Sequence, residues 1–271
     1  MVLPNMINPH LSWAHDKFHN ALTTNTFTLQ VVDELSSSND YLLTQIKNNA
    51  LTQPTCVVAL HQTRGRGRQG KTWLSDPQHS LTFSVNYCFN LTINNTTALP
   101  LVVALAVTEA LELLSVSQIR IKWPNDILRQ QDKLAGILVE TGQFNHSSCH
   151  LVIGIGINIS QQSGLYASLD ASFADCSDES GYTPSREQLL ALILNRLDDY
   201  FVQFEQEGFT PFINKWLHHC DHFNQSINLL KPDGRVASGT HTGVLHDGSI
   251  VITNETGEEY FHTGEISLRR A

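Results

Sequence analysis

The most constraining stretch of this sequence is an apolar run with a cationic, glycine-rich segment directly behind it. Thr55–Gln62 reads TCVVALHQ, and residues 64–73 read RGRGRQGKTW. A continuous apolar run of this length predicts a buried strand, so the cationic segment leaves the end of a central strand as a loop. Between Asp40 and Asp76 there is no acidic residue, although the whole chain carries a formal charge of -9. Glycine permits close backbone approach to a ligand, and arginine forks match carboxylate or phosphate oxygens in pairs. The loop is therefore expected to hold an anion. From this stretch alone, an Arg-Gly segment that binds nucleic acid through its phosphates stays open as the alternative.

The rest of the chain predicts an α+β fold. TFTLQVVD (Thr26 to Asp33) reads as a strand; SSSND supplies helix N-cap residues and YLLTQIKNN continues as the helix. SLTFSVNY alternates Leu81, Phe83 and Val85 on one face, residues 94–114 read as a buried helix, and IRIKW alternates until Pro124. KLAGILVETG and HLVIGIGINIS predict a hairpin across a turn at Gln143 to Ser148. Residues 160–183 read as a loop, and residues 185–208 as a helix with Ser185 and Gln188 at its start and Gly208 at its end. From about Asn224, short strands alternate with the turns KPDG (231–234), HDG (246–248) and NETG (254–257), which predicts a small antiparallel barrel leaning on the larger unit. The expected division is 1–222, with 1–25 as an extension, and 223–271.

At 271 residues, 41% hydrophobic and 16% charged, the chain is long enough and apolar enough for such a two-part globular protein. The N-terminus has no basic start followed by an apolar run, and the longest apolar run, Ala98 to Val107, is too short for a bilayer and contains Pro100. A cytoplasmic protein without membrane contact is expected. Five scattered cysteines, with no C-x-x-C pair, read as reduced thiols. HHCDH places His218 and His222 at helical spacing around Cys220; it reads as a polar helix end, with metal coordination the sharper alternative. His146 and His150 share that spacing but flank the expected turn.

Two further motifs carry chemistry. In KWPND (Lys122 to Asp126) a strand ends in a lysine, turns at proline and presents an Asn-Asp pair. The lysine can neutralise phosphate or carboxylate charge, and the aspartate can hold magnesium or a purine or ribose donor. In KLAGILVE (Lys133 to Glu140) a second lysine enters a strand through Ala135 and Gly136, small enough for a flat ligand to lie on the backbone. Each motif also has an ordinary reading, as a turn and as a packed hairpin strand.

In this order and at these separations, the three motifs resemble the biotin protein ligases. The resemblance runs from about Val31 to Arg270 and includes SSSNDYLL, GIGIN (Gly154 to Asn158), FEQEG and the terminal GEISLR. It implies the class II aminoacyl-tRNA synthetase-like core of biotin and lipoate ligases, a mixed β-sheet with packed helices, followed by a small SH3-like barrel. It also implies the activity: biotin and ATP give biotinyl-5'-AMP and pyrophosphate, and biotinyl then passes to a lysine of a biotin carboxyl carrier protein, as in acetyl-CoA carboxylase.

The family pattern assigns Ser37, Ser38 and Asn39 to the biotin head group and Gln62 to a contact with biotin, with Gly65, Arg66, Gly67 and Arg68 approaching the ligand and Gly136 lining the pocket. Arg66 is the first choice for holding the biotin carboxylate and the attacked phosphate. Arg68 and Lys71 would stabilise phosphates, Trp73 would pack where the loop closes over adenine, and Lys133 would sit at the reaction centre. Lys122, Asn125 and Asn158 belong to the nucleotide side. Asp126 is the candidate magnesium ligand and acceptor of the incoming lysine's proton. No side-chain nucleophile is required.

The chain departs from the family pattern at Ser38, where threonine is common, and at Lys71, where arginine is usual and bidentate pairing is lost. Only about 30 residues precede the catalytic region, too few for helices of about 11 to 12 residues plus a wing, so no DNA-binding repressor function is expected. A monomer or weak homodimer, without nucleic acid, is the expected state. A lipoate ligase would share the core but lack the cationic loop and the tryptophan-containing turn.

Overall fold

The computed structural model describes residues 13–160, 173–230, 235–262 and 267–270. β1 (Thr28–Leu35) and β2 (Thr55–Gln62) run parallel, joined through α2 (Ser38–Lys47). Five more strands complete the sheet by antiparallel pairing: β3 (Ser80–Phe89), β4 (Ile119–Lys122), β5 (Asp126–Arg129), β6 (Asp132–Phe144) and β7 (Cys149–Asn158). Their spatial order is β1-β2-β3-β7-β6-β5-β4.

β2 is thus second from an edge, and β7 occupies the middle, which corrects the expectation of a central strand. The apolar run has another cause. Cys56, Val58 and Leu60 face the main core, while Val57 on the other face packs with Leu42 and Ile46 of α2 and with Val152. Two separate clusters bury the two faces of one strand, so both alternating sets of positions are apolar.

α3 (Leu99–Leu113) is buried on nearly every side, and α4 (Arg186–Glu207) packs across it. Ser185 caps α4 by accepting the backbone N–H of Gln188, and Gly208 at φ 66 ends it, as the sequence predicts. Residues 93–113 are apolar enough to cross a membrane by length and composition, but this segment is largely interior and serves as the core helix. α1 (His15–Ala21) rests on α4 through the buried Phe18, and α5 (Ile213–His219) buries Trp216. α1 was not expected, whereas α5 ends at His219, where HHCDH reads as a polar helix end; each is two turns long and held by packing. β5 was also missed, because Pro124 and Asn125 read as a plain turn. They form the tip of a hairpin in which Lys122 pairs with Asp126 across a cis Trp123–Pro124 bond.

The second sheet contains β8 (Ser226–Leu230), β9 (Val236–Val244), β10 (Ile250–Asn254), β11 (Gly257–Phe261) and β12 (Ser267–Arg270), ordered β11-β10-β9-β8-β12. All its pairings are antiparallel, as in a small SH3-like barrel. Two of its expected turns are present; KPDG lies outside the described residues, as do 161–172 of the expected loop. The barrel is seated on the larger unit by Trp123, whose indole N–H donates to the Gly248 carbonyl at 3.0 Å. Gly248 has φ 84, and a Cβ there would stand 2.9 Å from Cα of Ala98, so this contact admits only glycine.

Candidate active site

The start of α2 meets the end of β2 and the middles of β3 and β6 in a buried polar network. Ser37 is the helix N-cap, accepting from Asp40 N–H. Ser37, Ser38 and Asn39 are each 3% exposed, so their hydrogen bonds must be met internally. Gln62 Oε1, at the end of β2, accepts the backbone N–H of Ser38 at 2.7 Å. Ser84 of β3 donates to Asn39 Oδ1 at 2.5 Å, which leaves its own oxygen to accept the Ser38 hydroxyl at 2.6 Å. Asn39 Nδ2 in turn donates to Glu140 Oε2 on β6 at 2.7 Å. A Cβ at position 154 would lie 2.3 Å from Asn39 Oδ1, so glycine on β7 makes room for this amide. Side-chain groups of fixed orientation therefore line one end of a cavity.

The cationic loop closes on itself over the other end. Trp73 N–H donates to Gly65 O at 2.9 Å and Gly67 N–H to Lys71 O at 2.7 Å. A Cβ on Gly65 would lie 2.4 Å from the Trp73 carbonyl oxygen, which explains that glycine. The Trp73 indole rests on β6 and β7, where Gly156 and Gly136 supply the space: a Cβ on Gly156 would be 2.3 Å from the ring. The indole N–H is buried and without a hydrogen-bond partner among the described residues.

Two of the loop's three arginines, Arg66 and Arg68, point to different places. Arg66 Nη2 donates to Asp40 Oδ1 at 2.6 Å and to Glu140 Oε2 at 2.8 Å. Burial alone would lower its pKa, but Glu140 and Asp40 outweigh this and hold it above the ordinary value. Arg68 turns inward and donates to Asn125 Oδ1 at 3.0 Å. Burial pulls its pKa down, with nearby Asp126 opposing that shift. Asn125 Nδ2 donates to Ile137 O at 2.8 Å and Ile137 N–H donates back to Asn125 O at 3.0 Å, which ties the hairpin tip to β6.

Beside Arg68, Lys133 Nζ donates to Asp126 Oδ1 at 2.6 Å and lies 5.7 Å from the Trp73 ring centroid. The Lys133 carbonyl accepts from Asn158 Nδ2 at 3.3 Å, and the same amide reaches Ala174 O at 3.0 Å. All expected site residues except Gly65 line a single cavity of about 420 Å³, including the exposed Lys71 and the half-buried Lys122. That volume falls within the ordinary range for a small-molecule site.

Reading the sequence missed Ser84, Asp40 and Glu140 as parts of the site. Ser84 had a signal: with Ser80, Thr82 and Asn86 it forms a polar face opposite the apolar Leu81, Phe83 and Val85, and all four are buried. Glu140 closes the KLAGILVE motif, and its role became visible only once β6 stood beside α2. The His218 reading separates from the site altogether; Cys220 and His222 gather instead with His241 of the barrel.

Residues 31–158 match the biotin/lipoate A/B protein ligase family. The bifunctional ligase/repressor BirA of Escherichia coli is 30% identical over 244 residues, covering 90% of this chain and 75% of that protein. The biotin–[acetyl-CoA-carboxylase] ligase of Paracoccus denitrificans is 25% identical over 220 residues, covering 78% and 88%. Among solved structures, the Aquifex aeolicus biotin protein ligase in complex with biotin and ATP superposes with a TM-score of 0.76 at 29% identity, over 90% of this chain and 99% of that one. The sheet order, the barrel and these likenesses agree: the chain belongs to the biotin protein ligase family.

Proposed function

We propose that this chain activates biotin with ATP to biotinyl-5'-AMP, releasing pyrophosphate, and then transfers biotinyl to a lysine of the biotin carrier of acetyl-CoA carboxylase. The observation that carries this reading is one cavity that joins a neutral hydrogen-bonding end, at Ser38, Asn39 and Gln62, to a cationic end, at Arg68 and Lys133. The neutral end suits the ureido ring of biotin. The cationic end suits a carboxylate meeting a phosphate.

In the first step the biotin carboxylate attacks the α-phosphorus and the bond to pyrophosphate breaks. Two anions must be brought together, so fixed positive charge at the reacting atoms is the main requirement. We assign that role to Arg68 and Lys133, which flank Asp126 at the cavity's inner end. Arg66, the first choice from the sequence alone, is held at the rim by Asp40 and Glu140, and we assign it the closing of the loop over bound ligand. Lys71 and Lys122 face the remaining phosphates, and Trp73, Asn125 and Asn158 hold the nucleotide. The Trp73 indole N–H, already buried, offers a donor to the ligand. In the second step the acceptor amine attacks the mixed anhydride and AMP leaves; Asp126, with one oxygen held by Lys133, has the other to take the amine's proton.

Magnesium fits the same place in a limited way. Asn125 is committed on both amide atoms, and Asp126 is the carboxylate that lines this end among the described residues; Mg²⁺ is often held by a single carboxylate together with substrate phosphates. Its chemistry there is to offset phosphate charge.

We further propose a cytoplasmic enzyme in which residues 1–222 form the catalytic unit and 223–271 the accessory barrel. Pyrophosphate exchange measured in parallel with biotin and with lipoate tests the assignment. Exchange with biotin is expected; exchange with lipoate alone would replace this reading with that of a lipoate ligase.

A further inference from the structure

The ligase site uses none of the residues in HHCDH, and the fold rearranges them. His218 is removed from the group: its carbonyl accepts from Arg120 and its ring lies edge-on to His219. His241 of β9 takes its place. Cys220 Sγ stands 3.6 Å from His222 Nδ1 and 3.9 Å from His241 Nδ1, and the two Nδ1 atoms are 3.1 Å apart. Both histidines are wholly buried and Cys220 is nearly so.

Those separations match the edges of a coordination tetrahedron. Zinc bonds of about 2.3 Å to sulfur and about 2.0–2.1 Å to nitrogen put S···N edges near ~3.6 Å and N···N edges near ~3.3 Å. His241 also has the support a ligating imidazole needs. Its Nε2–H donates to the Gly243 carbonyl at 2.9 Å, which fixes the tautomer and leaves the Nδ1 lone pair toward the cluster.

A hydrogen-bond chain explains part of the same geometry. Trp123 N–H donates to His222 Nε2 at 3.2 Å, which puts the His222 proton on Nδ1, facing His241 Nδ1. This chain accounts for the nitrogens and assigns nothing to Cys220, whose thiol burial pushes up to about 12.

We propose that Cys220, His222 and His241 bind one Zn²⁺ through Sγ and the two Nδ1 atoms, with water in the fourth position. Binding releases the thiol proton. The His222 proton moves from Nδ1 to Nε2, and Trp123 N–H gives up that acceptor in exchange for three coordinate bonds. The ion would pin the barrel strand β9 to the end of β4, because Cys220 bridges to Ile121 and Asp221 N–H donates to the Ile121 carbonyl at 2.9 Å. The site is therefore structural, and stands whether or not the ligase reading does.

The test is titration of the chelator-treated full chain with Zn²⁺ by calorimetry in buffers of different ionisation enthalpy, and with Co²⁺ by absorption spectroscopy. One equivalent is expected, with one proton released per ion and an intense thiolate-to-cobalt band. His241→Asn should weaken binding by more than about 100-fold, beyond what even outer-shell changes cost, and His218→Asn should leave it unchanged. Cys220→Ser should abolish the cobalt band; if that variant does not fold by circular dichroism, the wild-type band decides. Failure of the wild-type chain to take up a stoichiometric ion, a Co²⁺ spectrum without the thiolate band, or equal loss in His218→Asn and His241→Asn would overturn the proposal and leave the hydrogen-bond chain.

Discussion

Glu140 ties the buried head-group network to Arg66 of the loop at the cavity rim, so its removal should disturb both. Its Oε2 accepts from Asn39 Nδ2 at 2.7 Å and from Arg66 Nη2 at 2.8 Å. In Glu140→Ala, Asn39 keeps for that amide only the long 3.4 Å contact to the Leu138 carbonyl, and Asn39 is 3% exposed. Leaving a buried donor poorly satisfied costs about 1–3 kcal/mol. The ion pair adds less, because the Arg66 and Glu140 side chains are 39% and 23% exposed and Arg66 retains Asp40; about 0.2–1 kcal/mol is the scale for such pairs. Where ordering the freed Asn39 and Arg66 falls on ligand binding, a combined cost of about 2 kcal/mol sets an upper bound of roughly 30-fold on the loss of biotin affinity. Glu140→Gln keeps an oxygen for Asn39 and loses only the charge facing Arg66, so a fall of less than about 5-fold is expected. Calorimetric titration with biotin measures the affinity, and trapping of biotinyl-adenylate released to solution measures loop closure. A folded Glu140→Ala protein with wild-type affinity and retention would refute the coupling, as would Gln and Ala variants of equal damage.

Arg68→Ala should slow biotin-dependent pyrophosphate exchange by about 100-fold or more, the usual scale for one lost donor at developing charge. Arg66→Ala should chiefly raise adenylate escape, and Lys47→Ala, exposed at the end of α2, should do neither; equal effects of the three would defeat the division of roles. Gly154→Ala places a Cβ 2.3 Å from Asn39 Oδ1, so biotin binding should fall sharply while the circular dichroism spectrum is kept; unchanged binding would contradict the head-group assignment. Ser185→Ala removes the N-cap of α4 and should cost about 1 kcal/mol in denaturant unfolding, with a loss below a few tenths arguing that tertiary packing alone holds that end.

The long apolar elements were legible because their patterns are those of burial. TCVVALHQ is β2 to the residue, and the hairpin of β6 and β7 turns between Phe144 and Cys149, within the expected turn from Gln143 to Ser148 apart from its first two residues, which end β6. What escaped was set by neighbours distant in sequence. β2 reads as central because α2 covers its second face, not because strands flank it equally. β5 and α1 are too short to declare themselves by periodicity and depend on docking. At the site, the residue types of the three motifs were readable, and the fold brings them around one cavity. Which arginine faces the reacting end was not, since RGRGR offers three similar guanidiniums and only the folded loop separates Arg68, at Asn125, from Arg66, at Asp40 and Glu140. The histidine cluster shows the same limit: spacing pointed to His218, whereas the fold supplies His241 from a strand that follows it by more than twenty residues.

The central claim is an ATP-driven transfer of biotin to a carrier lysine. It is tested most directly by incubating the purified chain with ATP, magnesium, biotin and a biotin carboxyl carrier domain, then measuring the intact mass of the carrier. The account predicts a gain of one biotinyl group that requires both ATP and the carrier's acceptor lysine. A carrier mass that stays unchanged while the ligase is folded and binds biotin would contradict it.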